Sequence, residues 1–355
     1  MSAAIGRTPA VHSIDTKIAA LKSNGYNGIE VHFECLTNEA RRIFNLASDA
    51  QPADHQMYAA AREVRHKCDV ADISVLCLEP FLHYPGLLPV SRRDERLRGL
   101  PLWFTLTDIL GTDMIQIASA MFSGPGVTLE ESRIVEDLRI LADMGLQWHR
   151  PKFWAYEAMC FGAGTTKWTQ AWREVQLVDR PNFGMVFDTY QVLGAVYADP
   201  TVAGGKRPDA DQAAAQTFED VRNTFAGPHN AANRAKIFFV QLGDAAAPSP
   251  PLSEDSPLYD PQQHASLMMT WGRIFRRWPG EGYMPTRELA EVFLRECGWR
   301  GWISAEVMNS EAFSQSPDYP MEAAARCRKG QDDYIQAIVD KQNRTHIASI
   351  PNPSL

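Results

Sequence analysis

The sequence predicts a single (β/α)8 barrel, and three observations predict it. Helical and strand-like apolar patterns alternate along almost the whole chain, the strand-like runs number eight, and four of the later ones end in an oxygen-bearing side chain. Strands joined through helices are normally parallel, and eight of them close into a barrel whose C-terminal rim carries the chemistry. With 355 residues and 45% hydrophobic content, the chain can bury one large core. A doubly wound sheet would carry a glycine-rich phosphate loop after its first strand, and residues 7–13 contain none.

The elements follow in order. A short first strand is expected over 3–5. Ser13 is a suitable N-cap for a helix over 14–23, where Ile14, Ile18, Ala19 and Leu21 recur at helical spacing until Gly25 stops it before a strand over 28–31. The pairing repeats: helix 58–67 before strand 73–78, helix 92–110 before strand 114–118, and helix 132–144 before strand 153–156. Helix 168–178 then precedes strand 184–187, helix 213–225 precedes 237–240, and helix 286–297 precedes 302–305. One domain over 1–345 is therefore expected. The segment 245–281, with Pro248, Pro250, Pro251 and Pro257, exceeds an ordinary strand-to-helix loop; it is read as an insertion bordering the mouth, with a helix inside 264–278. Residues 346–355, with Pro351 and Pro353 and no apolar period, read as a flexible tail.

Composition narrows the function classes. A formal charge of -8 without a long basic run disfavours nucleic acid as a partner. The six cysteines form no CxxC pair and read as reduced thiols of a cytoplasmic protein. No window approaches the roughly 20 apolar residues that span a bilayer, so no membrane partner is expected. The expected partner is a small molecule, and a homo-oligomer is compatible with this composition.

The four strand-end acceptors are Glu157, Asp188, Gln241 and Glu306. A carboxylate inside an aromatic and β-branched run is costly to bury unless a cation compensates it, and neighbouring strands would bring all four together. Three carboxylates and an amide oxygen form a hard donor set for one divalent cation, Mg²⁺ or Mn²⁺, with Co²⁺ able to substitute. Taken singly, each could merely accept a hydrogen bond at a strand end. His83, in the loop after strand 73–78, is the expected general base because imidazole titrates near neutrality, with Glu34 and His32 next in line. Phe81, Tyr156, Phe161 and Tyr190 could wall a ring-shaped substrate, although aromatic residues at such places more often simply pack.

Several strings resemble the fungal 3-dehydroshikimate dehydratases of quinate catabolism, in the xylose-isomerase-like barrel superfamily. They include Gly-Tyr-Asn-Gly-Ile-Glu at 25–30, Cys-Leu-Glu-Pro-Phe at 77–81, Asp-Met-Ile-Gln-Ile at 113–117, Tyr-Glu-Ala at 156–158, Asp-Arg-Pro-Asn-Phe-Gly at 179–184, Val-Tyr-Ala-Asp-Pro at 196–200 and Phe-Phe-Val-Gln at 238–241. The resemblance runs from about Ser2 to about Phe313, in order. It implies a xylose-isomerase-like barrel, and a divalent metal on the same four residues.

The surroundings depart from that family. Relatives read Asp-Thr-Phe-Asn or Asp-Ser-Phe-His against Asp188-Thr189-Tyr190-Gln191, and Leu-Gln-Pro-Phe against Leu78-Glu79-Pro80-Phe81. They also carry arginine where Ala195 stands and near Ser310 and Glu311. Loss of a bidentate guanidinium weakens the hold on a substrate carboxylate, unless Arg7 supplies the charge. The resemblance implies dehydration of 3-dehydroshikimate to protocatechuate through an enolate; Tyr190 and Gln191, which depart from it, are candidate substrate contacts of this chain. Two alternatives stand beside it. One is the same chemistry, dehydration or isomerisation, on another cyclic ketone or polyol, as in secondary metabolism; the other is a silent barrel that only binds.

Overall fold

The computed structural model describes residues 1–348. Seven parallel strands form the central sheet: β1 (Gly28–His32), β2 (Ser74–Phe81), β3 (Met114–Ala118), β4 (Phe153–Glu157), β5 (Phe183–Asp188), β6 (Ile237–Gln241) and, last in the chain, β9 (Trp302–Ser304), in the spatial order β1-β2-β3-β4-β5-β6-β9. Between β6 and β9 lies a two-stranded antiparallel ribbon, β7 (Asp244–Ala245) with β8 (Arg276–Arg277). Helices join consecutive strands and pack outside them, as the alternation of patterns requires.

The strand expected over 3–5 does not form, and this is a correction. Residues 2–5 are turns. Ala4 N donates to Met1 O and Gly6 N to Ala3 O at 3.3 Å, and only Ser2 reaches β1, its N donating to Glu30 O at 2.9 Å and its Oγ accepting from His32 N at 2.8 Å. The barrel is therefore nearly closed, with a seam between β1 and β9. Side chains bridge the seam: the Trp302 ring lies 2.7 Å from where a Cβ on Gly28 would stand, and Ser304 Oγ donates to Glu30.

The helices follow local rules with some differences. Ser13 caps Ile14–Ser23, accepting from Thr16 N at 3.3 Å. The single helix expected over 92–110 is two, Val90–Arg98 and Leu100–Leu110, parted at Gly99. A short helix Phe33–Ile43 follows β1. The helix within the long 245–281 segment is Leu267–Ile274. The last helix, Tyr319–Ala348, carries residues 346–348 of the expected tail, and the rest of that tail lies outside the described residues. All six cysteines are buried and free.

Strand alternation positions the site. Met114, Ala155, Val186 and Phe239 pack in one small apolar cluster. The residues two steps further along share their faces and are all polar: Gln116, Glu157, Asp188 and Gln241. An apolar plug thus floors a polar rim.

Candidate metal centre and pocket

Register brings the acceptors together. Glu157 ends β4, Asp188 ends β5 opposite Gln241 on β6, and Gln241 faces Ser304 on β9. Glu306 follows β9 by two residues. One oxygen each of Glu157, Asp188 and Glu306 lies within 4.8 Å of the others, and all three side chains are buried.

In Glu157, Asp188 and Gln241 one polar atom of the side chain is engaged and the other is not. Gln116 Nε2 donates to Glu157 Oε2 at 2.6 Å, and Tyr190 N donates to Asp188 Oδ1 at 2.8 Å. Gln241 Nε2 donates to Glu30 Oε2 at 2.8 Å, which turns the amide oxygen the other way. Glu157 Oε1, Asp188 Oδ2, Gln241 Oε1 and Glu306 Oε2 are left buried without a hydrogen-bond partner. Unpaired buried acceptors in such number are costly, and a cation held by the three carboxylates would relieve that cost. The donor set fits a divalent ion.

Electrostatics agrees. Burial, then Glu306 and Asp188, push the Glu157 carboxyl well above the usual carboxylate range. Burial lifts Asp188 to about 8, against the pull of Arg276. Arg276 Nη1 stands 3.8 Å from Asp188 and 3.6 Å from Glu306, with its guanidinium 4.1 Å from the centre of the Tyr190 ring. One arginine therefore only partly offsets the carboxylates.

Above them opens a cavity of about 260 Å³. Of the residues expected from the sequence, Arg7, His32, Glu34, Phe161, Glu157 and Glu306 line it. Arg7 and Glu34 form an ion pair with each other. His32 Nδ1 accepts from Glu34 N at 3.2 Å, so its proton sits on Nε2, and burial pushes its pKa down to about 3.

Other expected residues lie elsewhere. His83 is exposed, stacks on Phe122 at 5.8 Å and lines a separate recess with Arg92, Glu95 and Arg96. Phe81 packs among Trp103, Trp154 and Tyr84; Tyr156 packs on Phe183; Tyr190 lies beside Trp271. Gln191 Oε1 accepts from Cys160 N at 2.9 Å, which fixes a loop rather than facing the cavity.

Sequence reasoning missed Glu79, Gln116, Arg273 and Arg276, which also line the cavity. Glu79 and Gln116 carried the same signal as the four acceptors, a polar residue inside an apolar strand. Arg273 and Arg276 lie in the helix expected inside the insertion that borders the mouth, and nothing in the local pattern singled them out.

A strand-end carboxylate cluster under a rim cavity defines a class: metal-dependent lyases and isomerases built on a parallel barrel. The profile of the family described as "Xylose isomerase-like TIM barrel" matches residues 18–330. A 3-dehydroshikimate dehydratase of Neurospora crassa is 37% identical over 330 residues, 92% of this chain and 89% of that protein. The chain belongs to the xylose-isomerase-like TIM-barrel family, among the metal-dependent enzymes of its 3-dehydroshikimate dehydratase branch. Solved structures share the fold. A xylose isomerase-like TIM barrel/4-hydroxyphenylpyruvate dioxygenase fusion protein superposes with a TM-score of 0.69 at 21% identity, over 99% of this chain and 45% of that one. An IolI protein with a bound zinc atom gives 0.64 at 15%, over 95% and 96%. Among the described residues, no helix is long and apolar enough to cross a membrane.

Proposed function

We propose that the chain is a divalent-cation-dependent dehydratase that converts 3-dehydroshikimate to protocatechuate, with Glu157, Asp188, Gln241 and Glu306 as the cation's ligands. One observation carries the reading: all four side chains end in a buried oxygen with no hydrogen-bond partner among the described residues, at or just beyond adjacent strand ends, and two of them, Glu157 and Glu306, line the cavity. The identity to the Neurospora dehydratase supports the substrate. The oxygen set favours Mg²⁺ or Mn²⁺, with Co²⁺ as a substitute. The six buried free cysteines support a reducing, cytoplasmic compartment.

When bound, the cation supplies Lewis-acid stabilisation of charge developing on a ketone oxygen. The chain supplies the rest. Gln116 and Glu30 hold Glu157 and Gln241 in orientation through the two amide contacts. Glu34, fixed by Arg7, is the proton acceptor: it takes the hydrogen beside the ketone and returns it to the departing hydroxyl, so that one C–H and one C–O bond break, a C=C bond forms and water leaves. Glu34 is preferred to His83 because it lines the cavity and His83 does not. His32 offers an Nε2–H donor rather than a base, because its other nitrogen is engaged. Phe161, Met121 and Met159 give the cavity an apolar side that suits a ring.

The test is direct. Mn²⁺-loaded protein incubated with 3-dehydroshikimate is expected to generate the ultraviolet absorbance of protocatechuate; metal-replete protein that generates none would overturn the substrate. A second reading, the same chemistry on another enolisable ring ketone, is favoured by Glu79. This further carboxylate lines the cavity where the resemblance expects glutamine.

A further inference from the structure

Three guanidinium groups border the cavity, Arg7, Arg273 and Arg276. Two of them are neutralised. Arg7 is paired with Glu34, and Arg276 sits between Asp188 and Glu306. Arg273 has no carboxylate within ion-pairing distance among the described residues; its neighbours are the Met121 sulfur, 3.9 Å from Nη2, and the Phe161 ring, 5.9 Å from its guanidinium carbon.

The fold places this cation deliberately close. Arg273 lies in the last turn of the helix Leu267–Ile274, inside the long segment that borders the mouth. The preceding Gly272 lets that helix press down, since a Cβ there would stand 2.8 Å from Tyr190 Oη and 2.9 Å from the Phe161 ring. Burial lowers the Arg273 pKa, and Arg276 and Arg7 lower it further, while Glu306 is the one carboxylate prominent against them. An unpaired, half-buried guanidinium beside two others is a place for an anion, and the planar fork suits a carboxylate better than a single-point acceptor.

We infer that Arg273 binds the carboxylate of the ligand, making it a specificity-determining residue and replacing the arginines absent at Ala195, Ser310 and Glu311. This rests on the dehydratase reading for the identity of the ring, and it deepens that reading by saying which group of the ring is held and by what. Arg7 cannot serve the same end without releasing Glu34.

The test separates the two ideas. Mn²⁺-loaded wild type, Arg273→Met and Arg273→Lys are titrated calorimetrically with 3,4-dihydroxybenzoate and with its amide, after thermal unfolding confirms that each variant folds. Wild type is expected to prefer the carboxylate by about 10- to 100-fold, the range of one charge-assisted bidentate contact. Arg273→Met should bring that preference to about one, and Arg273→Lys should keep part of it, as a point charge does. A preference that survives in Arg273→Met, or a wild type with no preference, overturns the assignment. Turnover of 3-dehydroshikimate by wild type decides the dehydratase reading separately. With turnover intact, Arg273→Met should raise KM far more than it lowers kcat.

Discussion

The two halves of the barrel are held by different forces. From β3 to β6 every strand is laddered to its neighbours, and the polar side chains at the rim inherit positions set by backbone hydrogen bonds. Between β1 and β9 there is no ladder; a tryptophan ring over Gly28, a hydroxyl on Glu30 and the turn at residues 2–5 close the gap instead. Three of the four proposed ligands stand on the laddered half, and Glu306 hangs from the strand at the seam. Preorganisation of a metal site depends on rigid supports, so the laddered half sets the geometry and the seam half adjusts to it.

The largest effect should come from the laddered ligands. Glu157→Ala should lose the bound metal and all detectable turnover while keeping the fold, which elemental analysis and circular dichroism would check. Full metal occupancy in that variant would break the assignment.

Next is the proposed proton acceptor. Glu34→Gln should lower turnover by about 10² to 10⁴ with metal content unchanged, the usual worth of a positioned base. His83→Ala, away from the cavity, should stay near wild type. The reverse outcome would return the role to His83.

Glycine substitutions test the comparison itself. A Cβ on Gly184 would stand 2.3 Å from Lys236 O, a backbone atom fixed between two paired strands, whereas the nearest atoms to one on Gly28 belong to the Trp302 ring, at 2.7 Å. Gly184→Ala should therefore cost about 3 kcal/mol and Gly28→Ala about 1 kcal/mol in denaturant unfolding, the upper and lower ends of overpacking. Equal costs would mean that the seam is as rigid as the ladder.

A smaller effect concerns pH. Glu174, buried behind β4 with Thr165 Oγ1 donating to it at 2.6 Å, is raised by burial to about 7. An acid whose folded pKa is raised contributes its stability below the unfolded value and loses it as pH climbs through the folded one. Wild type should therefore lose on the order of 2 kcal/mol relative to Glu174→Gln between pH 5 and pH 8. Parallel stability curves for the two proteins would show that Glu174 carries no such charge penalty.

Legibility in the sequence followed the range of the interaction. Strand runs such as 114–118 and 153–156 were readable because side-chain alternation is local, and the acceptors at their ends stood out because a carboxylate in an aromatic run needs a partner. Phe81, Tyr156 and Tyr190 were equally visible, but whether an aromatic ring faces the cavity or the surrounding helices depends on packing across the barrel. The reading of His83 failed to anticipate its orientation for the same reason. A loop can start at the right rim and still turn its imidazole outward, here from a backbone with φ of 58°.

The sequence by itself determined the parallel barrel, the order of its elements and the four oxygens of the proposed metal centre, because each is written in local periodicity or in one misplaced charge. Only the tertiary structure decided that residues 2–5 turn instead of forming a strand, that Glu79 and Gln116 join the cavity wall, and that Arg273 reaches it from a segment more than a hundred residues beyond Glu157. These depend on which surfaces meet. No local pattern encodes whether a distant cation will find a counterion among the described residues, as Arg7 and Arg276 do and Arg273 does not.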